Sequence, residues 1–279
     1  MPTISDRRRR FGALHERGCF VIPNPWDVGT TRYLQHLGFQ AVATTSAGVA
    51  FSAGLSDTAV TRDAMLAHIR TVVDATDLPV NADFEAGYAE TPDAVAANVR
   101  LCVETGVAGL SIEDASGHHA NALYDVDTAA ARVAAARRAI DESGAEVVLT
   151  GRAECALFGE TDVRVAIGRL RAYAEAGADC LYAPGFDKRE DVAALVEAVA
   201  PKPVNVLMTA PDGLTVADLT ALGVRRVSVG SALARVAWGA FIRAARQIAG
   251  EGRFTLLVDA VPYMEIDRFF RDDRKRRGS

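Results

Sequence analysis

The chain has 279 residues, 49% apolar and 24% charged, with 31 Lys and Arg against 36 Asp and Glu for a net charge of −5. That composition sustains a buried core and excludes disorder and fibrous repeats, and the acidic balance lacks the broad positive field that holds nucleic acid. No apolar run approaches the ~18 residues of a membrane span, and the charged N-terminal stretch lacks the apolar segment of a secretory signal. Cys19, Cys102, Cys155 and Cys180 are scattered with no CxxC pair, which reads as reduced thiols of a cytoplasmic protein.

Eight short apolar or β-branched runs follow in chain order, at 19–23, 41–46, 80–85, 109–114, 147–152, 180–183, 204–208 and 226–230. Segments of helical period separate them. In 92–104, Val95, Val99, Cys102 and Val103 fall near one face behind the start signal Thr91-Pro92-Asp93. Gly38, Gly106, Gly177 and Gly223 each stand at a helix end just before a strand, and Pro79 and Pro203 open two other strands. Eight such units in ~230 residues predict an α/β fold, a (β/α)8 TIM barrel within 1–250. The rival is an open doubly wound sheet, whose GxGxxG turn after the first strand is absent.

Beyond the eighth strand, 232–250 reads as a long amphipathic helix packed on the barrel. The remainder, 251–279, reads as a C-terminal extension. Its apolar part at 254–270 exceeds what eight units need and suits partner contact, whereas 271–279 reads as a frayed charged tail and Arg7–Arg10 as a solvated face.

Chemistry in a barrel belongs to the C-terminal ends of its strands. The third run ends in Asp83 and Glu85, two apart and so on one face, and the fourth brings Glu113 to the same height while Asp114 alternates away. Two bare carboxylates ~4 Å apart repel by roughly 4 kcal/mol at an effective dielectric of ~20, so three together call for protons or a cation. An all-oxygen set suits Mg²⁺ or Mn²⁺. The plainer alternative is that the acids are separately solvated or bonded to loop amides. Arg152 and Glu154 share a face at the fifth strand end, where Arg152 could clamp a carboxylate or phosphate, or simply pair with Glu154. Asn81 and Asn205 follow Pro-Val in matching positions and could contact substrate or satisfy the barrel interior.

Taken together, PNPWD at 23–27, TTSAGVAFSAGLSD at 44–57, ADFEAGY at 82–88, SIED at 111–114 and GRAE at 151–154 resemble the isocitrate lyase/phosphoenolpyruvate mutase superfamily. The resemblance spans about 21–231 and implies a barrel with a C-terminal helix swapped between subunits of a dimer or tetramer, acting on small 2-oxo or 2-hydroxy carboxylic acids through Mg²⁺-held enolates. By that likeness Asp83 would hold the metal directly, and Glu85 and Glu113 through water. Thr45, Ser46 and Ala47 would hold substrate oxygens, Asp57 would support the metal's solvent network, Arg152 would grip a substrate carboxylate, and Asn205 would contact substrate.

Departures from the superfamily narrow the reaction. The catalytic Cys loop of the isocitrate lyases is replaced by Ala115-Ser116-Gly117-His118-His119-Ala120-Asn121. His118 or His119, on a mobile loop over 115–122, would then supply acid/base chemistry, or both would simply be solvated. Asn121 stands eight residues beyond Glu113, the offset of the mutase and phosphonopyruvate hydrolase branch. The leading expectation is a Mg²⁺-dependent C–C lyase. Phosphonate P–C chemistry, and a barrel that binds without turnover, stand as alternatives.

Overall fold

In the computed structural model, which describes residues 2–118, 121–209, 211 and 213–278, all eight runs become strands of one parallel sheet. In chain order these are β1 (Phe20–Ile22), β2 (Val42–Ala43), β3 (Val80–Asp83) and β4 (Gly109–Glu113), then a separate pair β5 (Ala115–His118) and β6 (Asn121–Leu123), then β7 (Val148–Arg152), β8 (Cys180–Tyr182), β9 (Val204–Leu207) and β10 (Arg226–Ser228). The sheet runs β1-β10-β9-β8-β7-β4-β3-β2. Its two ends meet where the Ala43 N–H donates to the Pro23 carbonyl at 3.0 Å, so the sheet is nearly closed into the expected barrel and the open-sheet rival falls away.

Helices lie between the strands: α1 (Ile4–Leu14) before β1, then α2 (Val28–His36), α3 (Ser46–Ser52), α4 (Arg62–Ala75), α5 (Pro92–Glu104), α6 (Val126–Glu142), α7 (Val163–Glu175), α8 (Arg189–Val199) and α9 (Val216–Ala221), with α10 (Ala232–Glu251) and α11 (Tyr263–Arg277) after β10. Local chemistry sets their ends. Thr91 accepts from the Ala94 N–H with Pro92 in the first turn of α5, and Gly106 after that helix takes φ 91°, where a side chain would be strained. The apolar stripes of α5, α6 and α7 bury Val99, Ile140 and Leu170 against outward-facing Leu110, Ile112 and Leu149, each side chain worth roughly 1.5–3 kcal/mol of burial.

The barrel interior departs from the aliphatic filling common in this architecture. Its lower end is closed by Phe11, Phe20, Ile22, Val148 and Cys180. Above them runs a buried polar chain: Arg226 donates to Thr150 Oγ1 at 3.0 Å and to Asn205 Oδ1 at 2.9 Å, and Asn205 Nδ2 donates to Ser228 Oγ at 2.9 Å.

Three local expectations are corrected. Arg7–Arg10 lie on α1, and two of the four are half-buried and bonded to the main chain: Arg7 donates to the carbonyls of Val73 and Thr76 at the end of α4, and Arg8 to those of Val107 and Val103 at and beyond the end of α5. The expected loop at 115–122 is largely the antiparallel pair β5 and β6. The charged tail is helical through Arg277, supported by i,i+4 pairs such as Arg271 with Asp267. The chain divides into compact units at Ser231/Ala232, ahead of α10. In the second unit Val236, Phe241, Phe254, Val258 and Tyr263 are exposed.

Candidate active site

Three neighbouring strands, β3, β4 and β7, end at one rim with Asp83, Glu113 and Arg152 as their last residues. Arg152 Nη1 lies 3.2 Å from a carboxylate oxygen of Asp83 and 3.2 Å from one of Glu113, while its Nε donates to Glu154. The Tyr182 ring supports the guanidinium, 5.2 Å from the ring centroid. Asp83 is fixed from the other side as well. Ser46 donates to it through both its amide and its hydroxyl at 2.9 Å, and the Asp83 N–H donates to Thr44 Oγ1 at 2.9 Å.

Glu85 does not follow the strand alternation, because β3 ends at Asp83 and Glu85 turns into left-handed backbone at φ 47°. Its carboxylate accepts from the Tyr88 hydroxyl at 2.7 Å, and its carbonyl accepts from the Glu113 N–H at 3.0 Å. Burial, with Asp83 and Asp57 nearby, pushes the Glu85 carboxyl up to about 7 against the pull of that tyrosine. Burial also raises the Glu113 carboxyl well above its ordinary value, with Arg152 opposing and Glu154 and Asp83 reinforcing. Asp57 is raised by burial and by Asp83. Burial works against the charge on Arg152, and Glu154 and Glu113 outweigh it, raising the guanidinium well above its ordinary value.

A cavity of about 220 Å³ opens beside Asp83 and Arg152, lined also by Thr45, Ala47, Asp57 and Asn81. Its size suits a small metabolite and is too small for a dinucleotide or a polymer. The two asparagines that look equivalent in sequence separate here. Asn205 is committed at both ends to Arg226 and Ser228, whereas Asn81 keeps a buried side-chain oxygen with no partner. Of the turn expected to hold substrate oxygens, Thr45 caps α3 by accepting from the Gly48 N–H, and Ser46 spends both donors on Asp83, so this turn orients the carboxylate.

Strand spacing brings Asp83, Glu85, Glu113 and Arg152 together and the resemblance adds Asp57; in the structure Asp57 and Asp83 line the cavity with Arg152, Glu113 pairs with Arg152 from beside it, and Glu85 is turned toward Tyr88. His119 lies outside the described residues, as do the side chains of His118 and Asn121. Tyr88 received no role from the sequence, although it closes the quoted ADFEAGY motif; Tyr182, in a segment expected to shape the substrate pocket, lines the cavity. Asp114 does point away, and it is a buried hub: it accepts from the Glu154 N–H at 2.8 Å, from Arg169 at 2.9 Å and from the Tyr173 hydroxyl at 2.6 Å.

Among the described residues no three His, Cys, Asp or Glu side chains converge as a ready metal-ligand set. The donor chemistry nevertheless fits a hard divalent cation. Asp83, Glu113 and Glu154 pair with the guanidinium of Arg152, Asp57 and Glu85 add their charges nearby, and the carboxyls of Asp57, Glu85 and Glu113 are pushed toward holding protons. A group of oxygen donors, four of them partly or fully buried, with more negative charge than one guanidinium neutralises is what Mg²⁺ or Mn²⁺ relieves.

A family model described as phosphoenolpyruvate phosphomutase matches residues 11–249. An uncharacterized Mycobacterium tuberculosis protein is 36% identical over 259 residues, covering 92% of this chain and 94% of that one. A Corynebacterium glutamicum protein named probable 2-methylisocitrate lyase 2 is 30% identical over 251 residues, 87% of this chain and 80% of its own. Among solved structures, a Burkholderia cenocepacia J2315 protein provisionally named a lyase/mutase superposes with a TM-score of 0.93 at 48% identity, covering 96% of this chain and 97% of that one.

Proposed function

Because the chain belongs to the phosphoenolpyruvate phosphomutase family, within a superfamily of lyases and mutases, we propose that it is a divalent-metal-dependent lyase cleaving a C–C bond in a small 2-oxo or 2-hydroxy carboxylic acid. The observation that carries this reading is the convergence of Asp83 and Glu113 on Arg152 beside a cavity of about 220 Å³. Asp83, Glu85 and Glu113 would hold Mg²⁺ or Mn²⁺, which when bound supplies a fixed double positive charge opposite the oxygen on which negative charge develops.

The chain's own residues do the rest. Arg152, kept protonated by its acidic neighbours, offers a planar fork for the substrate carboxylate. Ser46 and Thr44 fix Asp83 before substrate arrives, so little reorganisation accompanies the reaction. Proton delivery falls to His118 or His119, on the segment that follows Glu113.

Two further readings accompany this one. The exposed apolar side chains of the second unit are covered by further copies of the chain in a homo-oligomer. The protein works in the cytoplasm, which four free cysteines support; among the described residues no helix is long and apolar enough to cross a membrane. The test is a panel of 2-oxo, 2-hydroxy and phosphono acids assayed with Mg²⁺ for released pyruvate, glyoxylate, oxalate or phosphate. Carbonyl or oxalate products from a C–C cleavage support the lyase. Phosphate from phosphonopyruvate replaces it with P–C chemistry, and tight binding of oxalate without turnover on the panel replaces it with a binding barrel.

A further inference from the structure

The segment after β3 bends in a way its own residues resist. Glu85 and Tyr88 are both left-handed, at φ 47° and 55°, with Gly87 at 76° between them. Side chains other than glycine hold such backbone only where the surroundings over-determine it.

Two buried side chains from helices outside the barrel do so. Asn98 on α5 donates through Nδ2 to the Gly87 carbonyl at 2.9 Å and to the Tyr88 carbonyl at 3.1 Å. Arg132 on α6 donates through Nη2 to the carbonyls of Ala86 and, at 2.7 Å, Ala89, and through Nη1 to that of Glu90. Five consecutive carbonyls, from Ala86 to Glu90, are therefore each bound by one of these two residues. Arg132 is 1% exposed and its guanidinium stacks 4.2 Å from the centre of the Tyr124 ring. Arg62 donates to Asn98 Oδ1 at 3.0 Å, which fixes the direction in which the amide faces.

We infer that Asn98 and Arg132 are positioning residues, a main-chain clamp that holds the strained Glu85–Glu90 bend so that the Glu85 carboxylate and its Tyr88 partner face the acid cluster. Neither touches the cavity beside Arg152; they act through the backbone, as outer partners orient a metal-binding carboxylate. Only a planar fork with several donors reaches three carbonyls at once, which explains why an arginine is buried at this place. The link to metal affinity rests on the metal-site reading above, whereas the clamp on the backbone does not.

The experiment compares the full chain with Asn98→Asp, which keeps size and the bond from Arg62 but loses both donors, and with Arg132→Lys, which keeps charge but not the fork. Val133→Ala on the same helix is the control, because it loosens the buried core without touching the bend. Mn²⁺ affinity is read by electron paramagnetic resonance, melting temperature by circular dichroism, and amide exchange at 86–90 by mass spectrometry. The clamp predicts Mn²⁺ binding weakened about tenfold or more in Asn98→Asp and Arg132→Lys, against a change within about twofold in Val133→Ala. Affinities in the clamp variants that follow the control overturn it. Should Arg132→Lys not fold, Asn98→Asp decides alone. Should the wild-type chain take up no Mn²⁺, the metal-site reading fails and exchange decides the clamp: faster at 86–90 in Asn98→Asp than in Val133→Ala supports it, and equal rates overturn it.

Discussion

Acid should weaken this fold from the closed end of its barrel, through His15. The ring is 9% exposed, edge-on to Phe11 and Phe20 with centroids 4.8 and 5.1 Å away. Its Nδ1–H donates to the Phe11 carbonyl at 2.8 Å, which leaves the Nε2 lone pair facing the Arg226 guanidinium at 3.5 Å. Burial first, and Arg226 second, pull the folded-state value from 6.5 down to about 3. The group is a base whose folded value is depressed, so its contribution is intact above the unfolded value and is lost as pH falls from there toward the folded one. At about 1.4 kcal/mol per unit, near pH 5 the unfolded chain gains about 2 kcal/mol from a proton that the folded chain does not accept. Urea titrations of the wild-type chain and His15→Gln, each near pH 7.5 and near pH 5, isolate this effect because carboxylate titrations are common to both. The wild-type chain should lose about 2 kcal/mol more on acidification than the variant. Equal pH dependence in the two would refute the argument.

Four other outcomes follow. Asp83→Asn should abolish turnover on whichever acid proves to be the substrate while the far-ultraviolet spectrum stays native, since the variant keeps the size of the side chain and loses its charge. Asp114→Asn should cost about 3 kcal/mol in urea unfolding, because Arg169 and Tyr173 are left around a buried group that no longer carries charge. Dialysis against EDTA should remove activity, and Mg²⁺ or Mn²⁺ but not Na⁺ should restore it. Light scattering should give a mass at a multiple of 29.6 kDa, and Phe241→Glu, at an exposed position in α10, should lower that multiple.

The strand and helix order was legible in the sequence because short-range chemistry dictates it. Gly and Pro punctuation, threonine caps and a change from period two to period 3.6 each act within a few residues, so all eight barrel strands fall inside the apolar runs. The convergence of Asp83, Glu113 and Arg152 was legible for a related reason: parallel strands in a barrel bring their C-terminal ends to one rim, and alternation then selects the residues that face inward. The helix α1 and the pair β5 and β6 were not. α1 is polar along most of its length and is anchored by Phe11 and by arginines bonded to carbonyls about 66–99 residues away, which no local pattern announces.

Sequence alone therefore determined which acidic and basic groups reach the rim, since covalent spacing and alternation are local properties. Tertiary structure alone decided what each group does there. It turned Glu85 off its strand, committed Asn205 to Arg226 while leaving the buried Asn81 oxygen without a partner, and set Asn98 and Arg132 from two separate helices onto one bend. The physical reason is that hydrogen-bond partners and burial depend on distances between chain segments far apart in sequence, and these distances exist only once the barrel has closed.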